Sequence, residues 1–242
     1  MQADLNPKEA AHYVAVKEMF SGIAKRYDLL NHVLSLNIDK SWRRRVRAEI
    51  QDILNNRDAV VLDVACGTGD LSLELKRDSK ATVIGADFCR PMLAVAAEKN
   101  IKERTAIPYL EADAMSLSFA DNTFDALTIA FGLRNLPNHI AGLKELHRVI
   151  KGGGKLLILE FSEPRLPVFR QLYRLYFSAI LPRIGGLVSG SLGAYKYLPE
   201  SVSKFPDQKA LASMMEQSGF TNVSYQNLTG GIAALHSGTK TI

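Results

Sequence analysis

The residues best suited to chemistry in this chain are two glycines in a short loop, together with aspartates that follow apolar runs. The apolar run 59–62 leads through Asp63 into the loop 65–70, which contains Gly67 and Gly69. Glycine adopts backbone conformations barred to other residues, so such a loop can bring main-chain N–H groups close to a ligand. A helix beginning after the loop would point its positive end at the same ligand. A nucleotide-like cofactor is therefore the first hypothesis.

Three aspartates extend this candidate site. Asp63, Asp87 and Asp113 lie at or just past the ends of successive strand-like segments. The carboxyl ends of parallel strands meet at one edge of a doubly wound sheet, where such folds bind ligands. Asp87 lies twenty residues beyond Gly67, a position from which a carboxylate can accept hydrogen bonds from ribose hydroxyls. Aspartates also cap helices, but three of them along one edge favour a ligand site.

The loop does not match a dinucleotide-binding fingerprint. Ser72 stands where the pattern Gly-x-Gly-x-x-Gly/Ala requires glycine or alanine. Asp70 would also repel a pyrophosphate at close range. A cofactor with a cationic portion and no phosphate fits better, and S-adenosylmethionine is such a molecule. Its ribose and adenine suit Asp87 and Asp113, and its ammonium and sulfonium groups suit the acidic loop.

The elements that must position these residues alternate along the chain. Strand-like segments separated by helix-compatible stretches, such as 91–100 and 139–151, predict a doubly wound α/β fold with a mostly parallel sheet. A helix over 207–218 precedes two short strands joined by a Thr-Gly-Gly turn, which predict a hairpin and hence an antiparallel C-terminal edge. The predicted strands are 60–64, 82–86, 107–110, 124–130, 155–161, 221–228 and 232–236.

Composition limits the class of protein. A chain of 242 residues with 47% hydrophobic content suits a single domain over 1–242, with an N-terminal helical cap over 1–57. Within that cap, the helix predicted over 39–54 has its apolar positions on one stripe. We expect no secretory signal and a cytoplasmic location, because the first ten residues are charged and precede no apolar core. Two cysteines and five scattered histidines predict free thiols and no metal.

The net charge of +5 is concentrated in two clusters. The arginine run 43–47 lacks interleaved aromatic residues, which favours a solvated helix face over a nucleic-acid-binding surface. The interval 164–199, which we call the basic aromatic segment, contains five Arg or Lys residues and no Asp or Glu. Two interpretations stay open for this segment, a lid over the site and a surface that contacts an anionic membrane.

Three further stretches resemble the menaquinone/ubiquinone biosynthesis C-methyltransferase family, a Rossmann-like class I group that uses S-adenosylmethionine. The likeness covers nearly the whole chain. Its most specific parts are Tyr27-Asp28-Leu29-Leu30-Asn31 with Ser35 and Trp42, then Phe131-Gly132-Leu133-Arg134-Asn135, and then Arg148-Val149-Ile150-Lys151-Gly152-Gly153-Gly154 leading to Glu160-Phe161-Ser162.

The resemblance implies C-methylation of a prenylated quinol ring, as in the conversion of demethylmenaquinol to menaquinol or the corresponding step toward ubiquinone. It implies a lipid quinol substrate, peripheral contact with the inner face of the membrane, and cofactor contacts at Thr68, Asp87, Asp113 and Ala114, the last through its backbone. Asp39 is a departure, since the family usually has histidine there. Ala130 is another, because some members have a serine at that position.

The implied reaction also suggests catalytic residues. A phenol with a pKa near ~10 is scarce as the anion at neutral pH, a deficit of roughly 4 kcal/mol. Arg134 follows the fourth predicted strand at the cofactor edge, where its charge would stabilise a developing phenolate. Asp28 is a candidate base, and Asp39, Tyr27 and Tyr195 are unranked alternatives.

Other functions remain open on the sequence alone. The cofactor residues say nothing about the acceptor, so a methyltransferase acting on another small aromatic or polyketide acceptor is the main alternative. A nucleic-acid-binding protein is disfavoured, because the arginine run belongs to no recognisable binding module. The sequence leaves a homo-oligomer open.

Overall fold

The computed structural model describes residues 6–28, 37–162, 164 and 192–242, without the side chains of 192–196. Among these residues, one seven-stranded sheet lies between two layers of helices. The predicted doubly wound α/β architecture is thereby confirmed. The strands are β1 (Val60–Val64), β2 (Thr82–Asp87), β3 (Tyr109–Glu111), β4 (Phe124–Ala130), β5 (Ile150–Phe161), β6 (Phe220–Leu228) and β7 (Ala233–Lys240).

The helices of the described residues fill both faces of the sheet. Helix α1 begins with a capping box, in which Asn6 and Glu9 accept hydrogen bonds from each other's backbone N–H groups. The helices are α1 (Pro7–Ile23), α2 (Ile38–Glu49), α3 (Gln51–Leu54), α4 (Asp70–Lys76), α5 (Arg90–Lys102), α6 (His139–Val149), α7 (Leu192–Lys204) and α8 (Gln208–Gln217). In the described part of the chain, no helix is long and apolar enough to cross a membrane.

The strand order is β3-β2-β1-β4-β5-β7-β6, and β7 runs antiparallel to both β5 and β6. The predicted antiparallel C-terminal edge is thus confirmed. The order of strands reverses between β1 and β4, and the crevice at the carboxyl ends of these strands is where doubly wound sheets bind ligands.

Burial on both faces explains the continuous apolar character of the central strands. In β1, Leu62 faces a core shared with α6 and α8, whereas Val61 faces a core shared with α2, α3 and α4. Trp42 and Val46 of α2 pack in this second core, so the apolar stripe of the predicted helix 39–54 faces the sheet.

Two predicted elements, the helix 39–54 and the strand 155–161, differ from the structure. The helix predicted over 39–54 breaks at Ile50, whose φ of −124° and ψ of 23° are not helical. Strand β5 begins at Ile150 rather than 155, because the glycine run 152–154 stays within the strand beside a register shift against β4. Most of the basic aromatic segment, residues 165–191, lies outside the described residues.

The arginine run also differs from expectation. Arg43 is buried and forms ion pairs with Asp39 and Asp70, so a solvated helix face was the wrong prediction for this residue. Arg45 pairs with Glu49, and Arg47 lies 3.9 Å from Glu74 of α4. Ion pairs therefore hold Arg43 and Arg47 against α4, whereas Arg44 and Arg45 are exposed as the solvated helix face predicts.

Candidate active site

A cavity lies at the carboxyl ends of β1, β2 and β4, beneath α1. The cavity together with the open space at its mouth encloses about 950 Å³. Of the seven predicted cofactor residues, Gly69 alone is not part of the wall. The cavity brings together Asp63, Gly67, Thr68, Asp87, Asp113 and Ala114.

The loop after β1 turns through three residues with left-handed backbone conformations. The φ angles are 50° at Ala65, 54° at Gly67 and 81° at Gly69. A Cβ atom at Gly69 would collide with the hydroxyl of Tyr109, which lies beneath the loop. Glycine at position 69 therefore lets the loop pack closely on Tyr109. Gly67 and Thr68 form part of the cavity wall.

Asp63 supports this loop from the end of β1. Its side chain is buried, and its two oxygens accept hydrogen bonds from Ser72 at 2.6 Å and Thr128 at 2.9 Å. Burial raises the pKa of Asp63 to about 6, against the opposing effect of the two hydroxyl donors. The carboxylate thus ties β1 to α4 and β4 at the base of the cavity.

Asp87 and Asp113 present acceptor oxygens to the cavity. Asp87 accepts from the N–H groups of Gly67 and Cys89, each at 2.8 Å, and burial raises its pKa to about 6. One oxygen of Asp113 accepts a hydrogen bond from the Met115 N–H, and its buried Oδ2 has no hydrogen-bond partner among the residues that the structure describes. An unpartnered buried acceptor in a cavity wall calls for a donor. The hydroxyl and amino groups of an adenosine moiety match these carboxylates.

The acidic residues of the loop are paired with cations. Lys99 of α5 lies 2.5 Å from Asp70 and 2.5 Å from Asp28, and Arg43 lies 3.3 Å from Asp70. Asp28 also accepts a hydrogen bond from the Thr68 hydroxyl at 2.5 Å. Asp70 is therefore not the unscreened negative charge that the sequence argument assumed.

The other residues that line the cavity, which we call the apolar wall, are mainly aromatic and aliphatic. Helix α1 contributes Tyr13, Val16 and Phe20. The Tyr13 ring packs edge-on against Phe88, with centroids 5.0 Å apart, and the Phe20 ring packs in the same way against Tyr27. Sequence reasoning missed the residues from α1, although their spacing of three and four residues was a readable signal.

The segment after β4 completes the wall with Phe131, Asn135 and Leu136. Phe131 has a φ of 57°, and its carbonyl accepts hydrogen bonds from the side chains of Arg134 and Asn135. The Asn135 Oδ1 accepts from the Tyr197 hydroxyl at 2.9 Å, so α7 is held against the same segment.

The two predicted catalytic residues are not among those that line the cavity. Arg134 is buried beside Glu160, with 2.9 Å between Nη1 and Oε2, and Glu160 also accepts from the Arg134 backbone N–H. The Glu160 carboxylate balances the Arg134 charge, and the stabilisation of a phenolate by Arg134 stays a prediction. Asp28 is likewise occupied by Thr68 and Lys99.

Asp39 forms an ion pair within its own helix. Asp39, which stands where the resembling family usually has histidine, is buried and pairs with Arg43 at 2.5 Å. It therefore fixes an arginine of the cavity wall within α2. Across the described residues, no three His, Cys, Asp or Glu side chains are grouped as metal ligands.

The solved structures that share this fold include several methyltransferases. A SAM-dependent methyltransferase from Aquifex aeolicus matches with a TM-score of 0.57 and 20% identity, covering 79% of this chain and 87% of its own. Phosphoethanolamine N-methyltransferase 2 of Haemonchus contortus, solved with S-adenosyl-L-methionine, matches with a TM-score of 0.59 and 16% identity, covering 82% and 53%. These matches show that the chain has the fold of these methyltransferases.

The family follows from comparisons of sequence. The model of the ubiE/COQ5 methyltransferase family matches residues 6–240, so this chain belongs to that family. A demethylmenaquinone methyltransferase of Thermus thermophilus is 50% identical over 223 residues, which are 92% of this chain and 100% of that protein. The ubiquinone/menaquinone biosynthesis C-methyltransferase UbiE of Geobacter sp. strain M21 is 47% identical over 229 residues, or 93% and 96% of the two chains.

Proposed function

We propose that this protein transfers the methyl group of S-adenosylmethionine to a ring carbon of a demethylated, prenylated quinol. The observation that carries the proposal is a cavity with two chemically different walls. Carboxylates and a glycine loop form one wall, and aromatic and aliphatic side chains form the other. The names of the relatives from Thermus thermophilus and Geobacter, which refer to menaquinone and ubiquinone biosynthesis, support a quinol as the acceptor.

The polar wall would hold the methyl donor. Asp87 would accept hydrogen bonds from the ribose hydroxyls. The unpartnered Oδ2 of Asp113 would accept a hydrogen bond from an amino or hydroxyl group, and the backbone of Ala114 would contact the donor at the same end of the cavity. Gly67 leaves open the space that a side chain would occupy, since only the edge of Tyr27 lies within 4 Å of a Cβ built there. The bound donor supplies an activated methyl group on a sulfonium, which needs no metal and no redox partner.

The apolar wall would orient the acceptor ring and exclude water. Phe20, Phe131 and Leu136 offer flat and aliphatic surfaces to a quinol ring, and alignment of the ring carbon with the methyl group lowers the entropic part of the barrier. In the transfer, a carbon–carbon bond forms as the carbon–sulfur bond breaks, and the ring loses a proton.

Arg134 and Asp28 would act on this reaction from behind the wall. We assign Arg134 to positioning, because it holds the Phe131 carbonyl and is itself held by Glu160. We assign Asp28 to the donor end, because its oxygens accept from Thr68 and Lys99. Tyr13, Tyr27 and Asn135 are polar side chains among the aromatic and aliphatic lining, and we take them as candidates to contact a ring hydroxyl.

A prenyl tail places this chemistry at a membrane. At about 0.8 kcal/mol per methylene-sized group, a tail of several isoprene units does not leave the bilayer. The acid-free basic aromatic segment supports peripheral contact with the cytoplasmic face of the membrane. Sedimentation with vesicles of anionic phospholipid tests this contact, and we expect binding that falls with salt. A failure to bind anionic vesicles at low salt would contradict it.

The activity is tested with purified protein, methyl-labelled S-adenosylmethionine and each reduced quinol in turn. We expect a product heavier by one methyl group with demethylmenaquinol, with a methoxylated prenyl benzoquinol, or with both. A small phenol without a tail serves as the control for acceptor class. Transfer to the phenol and to neither quinol would contradict the proposal.

A further inference from the structure

A chain of three contacts connects α5 to the cofactor loop through the N-terminal segment. The Lys99 ammonium lies 2.5 Å from Asp28 Oδ2 and 2.5 Å from Asp70 Oδ1. The Thr68 hydroxyl donates to the other oxygen of Asp28 at 2.5 Å. Lys99, Asp28 and Asp70 are all partly buried, with 20 to 25% of each side chain exposed. Partial burial reduces the screening of these charges by water.

The direction of the Thr68 hydrogen bond has a consequence for the cavity. A hydroxyl has one proton and two lone pairs, and a carboxylate paired with an ammonium only accepts. Since Thr68 gives its proton to Asp28, it can offer only lone pairs to a ligand. Thr68 is a cavity-wall residue, so it favours a ligand group that donates hydrogen bonds. An ammonium qualifies, whereas a phosphate or a carboxylate does not.

We propose that Lys99 is a positioning residue which, through Asp28, fixes Thr68 as the hydrogen-bond acceptor for the α-ammonium of the methyl donor. This inference rests on the proposed function, which supplies the identity of the donor. Lys99 also separates Asp28 from Asp70, because it lies between the two carboxylates. Without the ammonium, their mutual repulsion would move Asp28 away and release the proton of Thr68 toward the cavity.

The test compares two ligands that differ at the amino-acid end. S-adenosylhomocysteine has the α-ammonium, and 5′-methylthioadenosine shares its adenosine and thioether but lacks the amino-acid group. We expect Lys99→Met to lower the affinity for S-adenosylhomocysteine by about tenfold, because one charge-assisted hydrogen bond is lost. The affinity for 5′-methylthioadenosine should change by less than about twofold, since its contacts lie elsewhere. Titration calorimetry measures both.

Three variants make the test specific. Lys99→Arg restores a cation between the carboxylates and should bind S-adenosylhomocysteine to within about threefold of the unsubstituted protein. Asp28→Asn keeps the Lys99–Asp70 pair, but the new amide group can donate a hydrogen bond to Thr68. This variant should lower the affinity for S-adenosylhomocysteine by about tenfold. Lys102→Met, at an exposed residue of the same helix, is the matched control and should leave both affinities unchanged.

A ligand-free measurement complements the affinities. Amide hydrogen exchange over residues 24–28 should be about tenfold faster in Lys99→Met, because the segment loses an anchor on α5. Equal weakening of both ligands, or no weakening of either, would overturn the role of Lys99. If the unsubstituted protein binds neither ligand, the proposed function fails instead, and the two failures are thereby distinguished.

Discussion

The donor wall and the acceptor wall of the cavity are built in different ways. The donor wall comes from one loop and from strand ends, and its key groups are backbone conformations and carboxylates such as Asp63 and Asp87. The acceptor wall is made of side chains from α1 and from the segment after β4, such as Phe20 and Phe131. The contrast suggests that the two binding functions can be altered separately, and each prediction below tests that separation.

The largest effect is expected behind the acceptor wall, where Glu160→Ala would leave the Arg134 guanidinium buried without its partner. Removal of one member of a buried ion pair costs about 3–5 kcal/mol of unfolding free energy. Urea unfolding measures the change, with Glu98→Ala on the exposed side of α5 as the control. A loss below about 1 kcal/mol would mean that the Arg134–Glu160 pair does not support the wall.

The next effect concerns the donor wall alone. Asp87→Ala removes an acceptor and the partner of two loop N–H groups, so the affinity for S-adenosylhomocysteine should fall by about a hundredfold. Calorimetry measures this loss, and the exposed Asp52→Ala serves as the control. The KM of the quinol should stay within about twofold. A comparable rise in that KM would break the separation of the two walls.

The reciprocal change is Phe20→Ala on the acceptor wall. The loss of an aromatic surface should raise the quinol KM by about tenfold, the equivalent of about 1.4 kcal/mol of apolar contact. The affinity for S-adenosylhomocysteine should not change. Steady-state kinetics at saturating donor measures the KM. Val14→Ala, at a residue of the same helix that is 52% exposed, is the control.

A smaller effect follows from the raised pKa of Asp87, about 6. The ionised carboxylate is the better acceptor, so donor affinity should fall by about fourfold between about pH 7.5 and pH 5.5. The contribution of Asp87 to the free energy of unfolding changes with pH in the opposite direction from donor affinity. The pKa of Asp87 in the folded protein exceeds the ordinary aspartate value of 3.8, so the native state takes up the proton more readily than the unfolded chain. The stabilisation at low pH is therefore lost as pH rises through about 4 to 6. Asp87→Asn should flatten the pH dependence of donor affinity and remove only the Asp87 share of the pH dependence of stability, because Asp63, whose pKa is also about 6, still contributes to the latter. An affinity profile like that of the unsubstituted protein would assign the dependence to another group.

The smallest effect is expected at Ala65, whose φ of 50° is unfavourable for a residue with a Cβ. Ala65→Gly should raise the unfolding free energy by about 0.5 kcal/mol, the relief of strain less the added freedom of the unfolded chain. Thermal unfolding measures it. Ala15→Gly in the regular helix α1 is the control and should lower the unfolding free energy by about 0.5–1 kcal/mol. A destabilisation by Ala65→Gly would mean that the loop is not strained.

Local signals made the donor wall predictable. The apolar run of β1, the two glycines and an aspartate at each strand end are all readable within a few residues, and strands β1 and β4 have the predicted bounds. The pairing of Arg134 with Glu160 was not readable, because it forms across the adjacent strands β4 and β5. The contact of Lys99 with Asp28 likewise depends on how α5 packs beside the N-terminal segment. The acceptor wall was missed because α1 is mixed in polarity along its length.

Ala65 and Gly132 share one small space at the meeting point of the two walls. A Cβ atom at Gly132 would lie only 2.6 Å from the Cβ of Ala65. Which residue is tolerated at position 132 therefore depends on the residue at position 65. Gly132→Ala would clash with the Cβ of Ala65 unless glycine had first replaced Ala65, and Ile129 Cγ1, which lies 3.1 Å from the new Cβ, would still have to shift. The cavity thus carries a directional constraint on how its sequence can change, although neither residue bears a functional group.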